Sequence, residues 1–183
     1  MKMCIAFCAT LVLVFIGVAP VGNAEPADDP WTGFRFLLGD WKGAGSGAPG
    51  QSEGEFSFRL DLDGKILVRK NVTKFPVVAD QPAVVHEDLM IVYPGKKGTP
   101  AHAIYFDSEG HVIEYTVSSV SADQLVFMSE PSPASPRFRL AYKQSDKAEL
   151  TIKFEIATPA KPETFRVYLE GSARRIPSPK LVP

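Results

Sequence analysis

The chain has 183 residues, a formal net charge of −1 and 45% hydrophobic residues. This length suits one domain. The near-neutral charge differs from the basic excess that is typical of proteins that bind nucleic acids or anionic membrane surfaces. Both cysteines, Cys4 and Cys8, lie near the start of the chain. A chain without that segment has no disulfide and depends on its hydrophobic core.

Residues 1–24 have the pattern of a secretory signal peptide. Met1-Lys2-Met3 is followed by an apolar core over 5–19 and by small residues that place a cleavage site after Ala24. This core is shorter than the roughly 20 residues of a membrane-spanning helix, so a retained anchor is the weaker alternative. We therefore expect a secreted or periplasmic protein. It would have a leader at 25–30, one domain at 31–176 and a tail at 177–183.

The first predicted elements are a short helical plug at 31–38, too short to be stable alone, and a glycine-rich strand. In that strand Trp41 shares one face with Gly43, Gly45 and Gly47. Such glycines fit either a sharp bend of a barrel or a large flat ligand lying against the backbone.

The clearest hairpin follows. Phe56, Phe58, Leu60 and Leu62 alternate with polar residues before Asp63-Gly64, a favoured two-residue turn. This turn pairs Phe58 with Arg69 and Phe56 with Asn71. An inward-facing arginine needs a partner, because a buried unpaired charge is unfavourable. A ligand carboxylate, an internal acid such as Asp88, or solvent at the strand end would each supply one.

The remaining pattern predicts only strands. A loop of two or four residues between the fifth and sixth strands would put His102, Ile104 and Phe106 on the same face as Tyr115. With the three strands above, the chain predicts an all-β, antiparallel, up-and-down barrel of about ten strands. The further predicted strands are 84–93, 101–106, 111–120, 124–129, 137–143, 149–157 and 164–174.

Gly39-x-Trp41, with Arg174 or Arg175 in the last strand, resembles the calycins, including the lipocalins. The resemblance implies that Trp41 closes the barrel floor and that the arginine stacks on it. Gly39, Gly43 and Gly45 would then have structural roles. The longer run to Gly47 is similar to nitrobindin-like haem-binding barrels. In those proteins a late histidine ligates the haem iron, whereas the last histidine here is His111.

No pattern indicates a catalytic group or a metal site. His102 and His111 would lie more than about 10 Å apart along their hairpin. His86 and Asp88 share a strand face, which is a weak indication. No nucleophile elbow or phosphate loop is present.

We therefore expect a binding barrel for an apolar or amphipathic small molecule whose anionic head is held by Arg69. A haem-binding barrel is one alternative. A ligand-free structural or interaction barrel is another, and it is favoured if an internal carboxylate already holds Arg69. No nucleic-acid partner, and no stable membrane insertion after signal cleavage, is expected. The predicted ligand-lining residues are Arg69, Phe56, Phe58, Asn71, His102 and Tyr115.

Overall fold

In the computed structural model, which describes residues 29–77, 82–96 and 99–177, ten antiparallel strands close into a barrel. Each strand pairs with the next along the chain, and β1 pairs with β10. The predicted all-β, up-and-down barrel is confirmed. The predicted signal peptide, most of the leader and most of the tail lie outside the described residues. The strands are β1 (Gly39–Gly47), β2 (Ser52–Asp61), β3 (Ile66–Phe75), β4 (Val84–Tyr93), β5 (His102–Asp107), β6 (Val112–Val120), β7 (Gln124–Ser129), β8 (Arg137–Asp146), β9 (Glu149–Ala157) and β10 (Arg166–Ile176).

A 3-10 helix, Thr32–Leu37, covers one end of the barrel and is called the plug below. Phe34, Phe36 and Leu37 are buried, and the Trp31 indole Nε1 donates a hydrogen bond to the Gly64 carbonyl oxygen at 2.7 Å. A helix of this length is unstable in isolation, so burial of these side chains holds it in place. Across the described residues, no helix is long and apolar enough to cross a bilayer.

The two ends of the barrel differ because the strands alternate in direction. The plug end carries the β2–β3, β4–β5, β6–β7 and β8–β9 connections. The opposite end, called the mouth, carries the β1–β2, β3–β4, β5–β6, β7–β8 and β9–β10 connections. The inward side chains nearest the plug form the densest core. Its fully buried members are Leu37, Trp41, Phe58, Leu67, Met90, Val92, Leu125, Phe127, Tyr142 and Leu150.

The β2–β3 hairpin has the predicted register. Phe58 pairs with Arg69 and Phe56 pairs with Asn71. Asp63 and Gly64 have φ values of 53° and 76°, and the Lys65 amide donates to the Leu62 carbonyl at 3.1 Å. Leu62 also has a positive φ, at 49°, and the last pair is Asp61 with Ile66, so the connection has four residues. Its even length keeps the register that the predicted two-residue turn implied.

The β5–β6 hairpin corrects one prediction. Phe106 pairs with Val112, so five residues lie between the paired positions instead of two or four. An odd loop length exchanges the two faces of a strand. Ala103, Tyr105 and Asp107 therefore face inward. His102, predicted to line the interior, is on the outer wall, where its ring stacks on Tyr93 at 5.7 Å between centroids.

The glycines of β1 allow a close approach of β10. A Cβ atom on Gly43 would lie 3.0 Å from the Ser172 carbonyl oxygen, and one on Gly45 would lie 3.2 Å from the Glu170 carbonyl oxygen. The backbone of β10 thus occupies the space beside these glycines. The close approach of β10 accounts for these two glycines, and the alternative, that the bare face makes room for a flat ligand, stays a prediction.

Candidate functional site

The floor of the barrel is built around Trp41. Its Nε1 atom donates to the Leu37 carbonyl at 2.8 Å, and the Arg175 guanidinium lies 4.2 Å from the centroid of its ring. Arg175 also donates to the carbonyl oxygens of Leu38 and Phe36, the latter at 2.9 Å. The contact joins the first strand, the last strand and the plug, so its role is structural.

Arg174 does not take part in this contact. Successive residues of a strand point to opposite sides, so Arg174 lies exposed on the outer wall when Arg175 faces inward. There it lines a groove of about 520 Å³ together with Lys42, Glu53 and Glu149. The assignment of Arg174 to the floor was wrong, and Arg175, the alternative, makes the contact.

Arg69 faces the interior, as the hairpin register predicted, but its charge is already paired. The guanidinium binds the Asp88 carboxylate, and both side chains are buried. Asn71 Nδ2 donates to the second carboxylate oxygen of Asp88 at 2.8 Å. The predicted role of Arg69 as an anchor for a ligand carboxylate is therefore wrong. The buried charge obtains its partner from the neighbouring strand β4.

The polar chain continues outward from Asp88 to His86. His86 Nε2 lies 3.3 Å from Asp88 Oδ2, and His86 Nδ1 donates to Glu109 Oε2 at 2.8 Å. The hydrogen bond with Asp88 is the main reason why the pKa of His86 is raised, and the charge of Glu109 adds to it. His86 thus stays protonated to a higher pH than an ordinary imidazole.

Asp107 fixes the turn beside His86. Its Oδ1 atom accepts hydrogen bonds from the amides of His111 at 2.8 Å and Glu109 at 3.1 Å. Burial favours the protonated acid, but the bonds from His111 outweigh it and hold the pKa of Asp107 below its usual range. The Tyr105 hydroxyl lies between the two groups, 3.2 Å from His86 Nε2 and 3.3 Å from Asp107 Oδ2.

Opposite this polar wall the mouth is aromatic. Phe138 and Phe154 stack with their centroids 5.8 Å apart, and Tyr168 meets Phe154 edge-on at 6.0 Å. Phe138, Phe154 and Ile113 face inward yet are only half-buried. These side chains are therefore partly exposed to solvent at the mouth, unlike Trp41 and Phe58 deeper in the barrel.

Two polar atoms inside the barrel have no hydrogen-bond partner among the described residues. They are Arg69 Nε and the Tyr142 hydroxyl, both buried. Burial raises the pKa of Tyr142 to about 12, so the hydroxyl keeps its proton and remains a donor. Buried polar groups are normally satisfied, so these two donors are exceptions in the core of this barrel.

The structure thus brings together part of the predicted ligand set. Phe56, Phe58, Asn71 and Tyr115 face the interior with Arg69 and are buried. The sequence reasoning missed Tyr105, Asp107 and Glu109. The segment 107–110, Asp-Ser-Glu-Gly, has the composition of a turn, so the sequence indicates a turn here. It does not indicate how many residues the loop contains.

Comparison with known proteins gives the fold alone. No protein-family model and no curated protein matches the chain. The crystal structure of Rv2717c from M. tuberculosis superimposes with a TM-score of 0.56 at 16% identity, over 81% of this chain and 98% of that one. A de novo designed fluorescence-activating β-barrel gives 0.42 at 9% identity, over 79% and 98%. The redesigned barrel mFAP0 bound to DFHBI gives 0.38 at 12%, over 76% and 99%. Membership of the lipocalin or nitrobindin-like families stays a prediction.

Proposed function

We propose that this protein is a small-molecule-binding barrel whose ligand enters through the mouth. The observation that supports this most strongly is the contrast between the two ends. Most of the fully buried side chains, such as Trp41, Leu125 and Leu150, lie toward the plug, whereas Phe138, Phe154 and Ile113 at the mouth are only half-buried. A recess with an aromatic wall and a few convergent polar groups is the usual form of a small-ligand site.

The chemistry of the mouth defines the ligand class. Phe138 and Phe154 offer ring faces and edges to an apolar, preferably aromatic, body. The facing wall carries three carboxylates, Asp88, Asp107 and Glu109, and one permanent cation, Arg69, while His86 and His111 lie against the acids. This balance favours a neutral or cationic hydrogen-bond donor, so we do not retain the anionic head group expected from the sequence.

Two parts of the proposal rest on the sequence. The signal-peptide pattern implies that the ligand is met outside the cytoplasm, and N-terminal sequencing of native protein should begin at or near Glu25. Haem remains the alternative ligand by resemblance. Of the candidate axial ligands, His102 lies on the outer wall and His111 is exposed at the rim, which leaves His86. A haem titration without a sharp Soret shift would exclude it.

A matched pair of dyes tests the ligand class. N-phenylnaphthylamine and anilinonaphthalene sulfonate share an aromatic body, but only the second carries an anion. We expect the neutral amine to bind with an increase in fluorescence and the sulfonate to bind more weakly. The Arg69–Asp88 pair favours the ligand-free barrel as the second candidate, and that candidate predicts that neither dye binds at the mouth.

Two phenylalanine variants locate the dye. Phe154→Ala should weaken binding of the neutral dye by about two- to tenfold through the loss of aromatic contact. Phe106→Ala is the matched control, because Phe106 is exposed on the outer wall. Equal losses in both variants would mean that the dye binds non-specifically, and the proposal would fail.

A further inference from the structure

Three potential metal ligands converge at the rim of the mouth. One ligand atom each from His86, Asp107 and Glu109 lies within 4.8 Å of the others. We propose that these residues bind a divalent first-row transition-metal ion, with Zn²⁺ as the representative case. One imidazole and two carboxylates form a mixed nitrogen and oxygen set, which suits Zn²⁺ better than the all-oxygen sets of Mg²⁺ and Ca²⁺.

The histidine is oriented for this role from behind. His86 Nε2 lies 3.3 Å from Asp88 Oδ2, and the buried Asp88 is itself fixed by Arg69 and Asn71. This leaves Nδ1 directed toward Glu109, at 2.8 Å. A carboxylate behind a metal-binding histidine fixes the ring and makes it a better ligand.

Asp107 is oriented independently of His86. The amides of Glu109 and His111 bind its Oδ1 atom, and His111 Nδ1 lies 2.9 Å from its Oδ2 atom. The same turn carries Glu109, so the loop that closes β5 onto β6 supplies two of the three ligands. Asp107 fixes the backbone of Glu109 through its amide, while the exposed Glu109 side chain can change rotamer.

The hydrogen bond between His86 and Glu109 marks where the ion would bind. A metal ion at this place replaces the shared proton, so binding releases a proton to solvent. Three protein ligands leave a further coordination position for water or for a donor atom of a molecule in the mouth. The site shares His86, Asp107 and Glu109 with the polar wall of the proposed ligand site, so metal binding is measured without an organic ligand.

Visible absorption spectroscopy of Co²⁺ bound to the untagged protein tests the proposal. We expect Co²⁺ to bind with one-to-one stoichiometry, to give visible absorption bands of a low-coordinate site, and to be displaced by Zn²⁺ but not by Mg²⁺. His86→Gln and Glu109→Gln should each weaken Zn²⁺ binding by at least about tenfold, as measured by calorimetry. His102→Gln and Glu114→Gln are matched controls on the outer wall and should bind as the parent does.

Several results would overturn the site. They are unchanged affinity in Glu109→Gln, equal weakening in His102→Gln, displacement of Co²⁺ by Mg²⁺, and no binding at all. If His86→Gln does not fold, Glu109→Gln decides the matter, because Glu109 is exposed and makes no core contact. Dye binding measured on the same samples separates this outcome from failure of the small-molecule function.

Discussion

The Arg69–Asp88 pair shows how one inward-facing charge determines its surroundings. A guanidinium inside a barrel loses its hydration, and Asp88 restores a counter-charge while Asn71 satisfies the second carboxylate oxygen. Such a pair adds little net stability compared with apolar residues at the same positions. Removing one partner, however, leaves the other charge buried and unpaired. The four polar residues Arg69, Asn71, Asp88 and His86 therefore behave as a unit.

We expect Asp88→Asn to lower the free energy of unfolding by about 3–5 kcal/mol, because Arg69 is left buried and unpaired. Urea denaturation followed by circular dichroism measures this loss. Asp40→Asn is the control: Asp40 pairs with Arg59 at 2.5 Å, but their side chains are 40% and 54% exposed. That change should cost at most about 1 kcal/mol. Similar losses in both variants would mean that water reaches Arg69.

His86 makes stability depend on pH in a definite direction. Its folded-state pKa is raised above the unfolded value of 6.5, first by the hydrogen bond with Asp88. The stabilisation is complete below pH 6.5 and is lost as the pH rises through the folded-state pKa. In chelator-treated samples, His86→Gln should therefore destabilise the protein more at about pH 5.5 than at about pH 8.5. A loss that grows with rising pH would contradict the assignment.

At the scale of elements, the junction of the plug with β1 depends on one glycine. Gly39 has a φ of 124°, and a Cβ atom there would lie 2.5 Å from Arg175 Nη1. That nitrogen cannot retreat freely, because it binds the Leu38 carbonyl while the guanidinium stacks on Trp41. The glycine is thus required both for its backbone conformation and for the space it leaves.

Gly39→Ala should be more destabilising than Gly50→Ala, and thermal or urea unfolding measures the difference. Both positions have positive φ, at 124° and 103°, so both substitutions introduce backbone strain. A Cβ atom at Gly50 meets nothing within 4 Å. The excess loss at Gly39, about 1.5–3 kcal/mol, corresponds to a displaced charged hydrogen bond. Equal losses would show that Arg175 adapts without leaving the floor.

The two hairpins explain which pairings could be predicted. The dipeptide Asp63-Gly64 indicates a tight hairpin turn, so the inward and outward faces of β2 and β3 could be predicted from the sequence. In β5, His102-Ala103-Ile104-Tyr105-Phe106 is apolar at successive positions, so its alternation does not show which face is buried. The length of the β5–β6 loop therefore determines which face of β5 points inward. No dipeptide in that loop indicates its length.

Similar ambiguity affected single residues. Arg174 and Arg175 are adjacent and identical, so only the pairing of β10 with β1 selects the one that meets Trp41. The partner of Arg69 could be named as a candidate, but its placement required the β3–β4 register. Tertiary pairing of this kind combines distant segments, which local patterns do not encode.

At the scale of the whole molecule, most of the fully buried side chains lie toward the plug, and several inward aromatic side chains at the mouth are partly exposed. The alternation of strand residues predicts which side chains face inward, but it gives no measure of the space between them. The number of strands and their tilt set that space, and the plug fills it from one side only. The filled barrel and the hollow barrel both stay predictions, and the dye measurements proposed above distinguish them.

The two ends of the barrel should differ in their tolerance of truncation. Phe58→Ala removes a fully buried ring and should lower the free energy of unfolding by about 3–5 kcal/mol. Phe154→Ala removes a half-buried ring at the mouth and should cost about half as much, in proportion to the area that is buried. Equal losses in chemical denaturation would mean that the mouth is as tightly packed as the core near the plug.

The pairing of β1 with β10 has a consequence for the order of folding. Trp41 and Arg175 are paired across the closure of the barrel, yet they belong to its first and last strands. Such a contact forms only after the intervening chain has been ordered, because the entropy of closing so long a loop opposes it. Trp41→Ala should therefore speed unfolding while leaving the refolding rate nearly unchanged, as stopped-flow measurements would show. The unfolding rate of the native barrel then depends on the contact between β1 and β10, whereas the folding rate depends on the local hairpins.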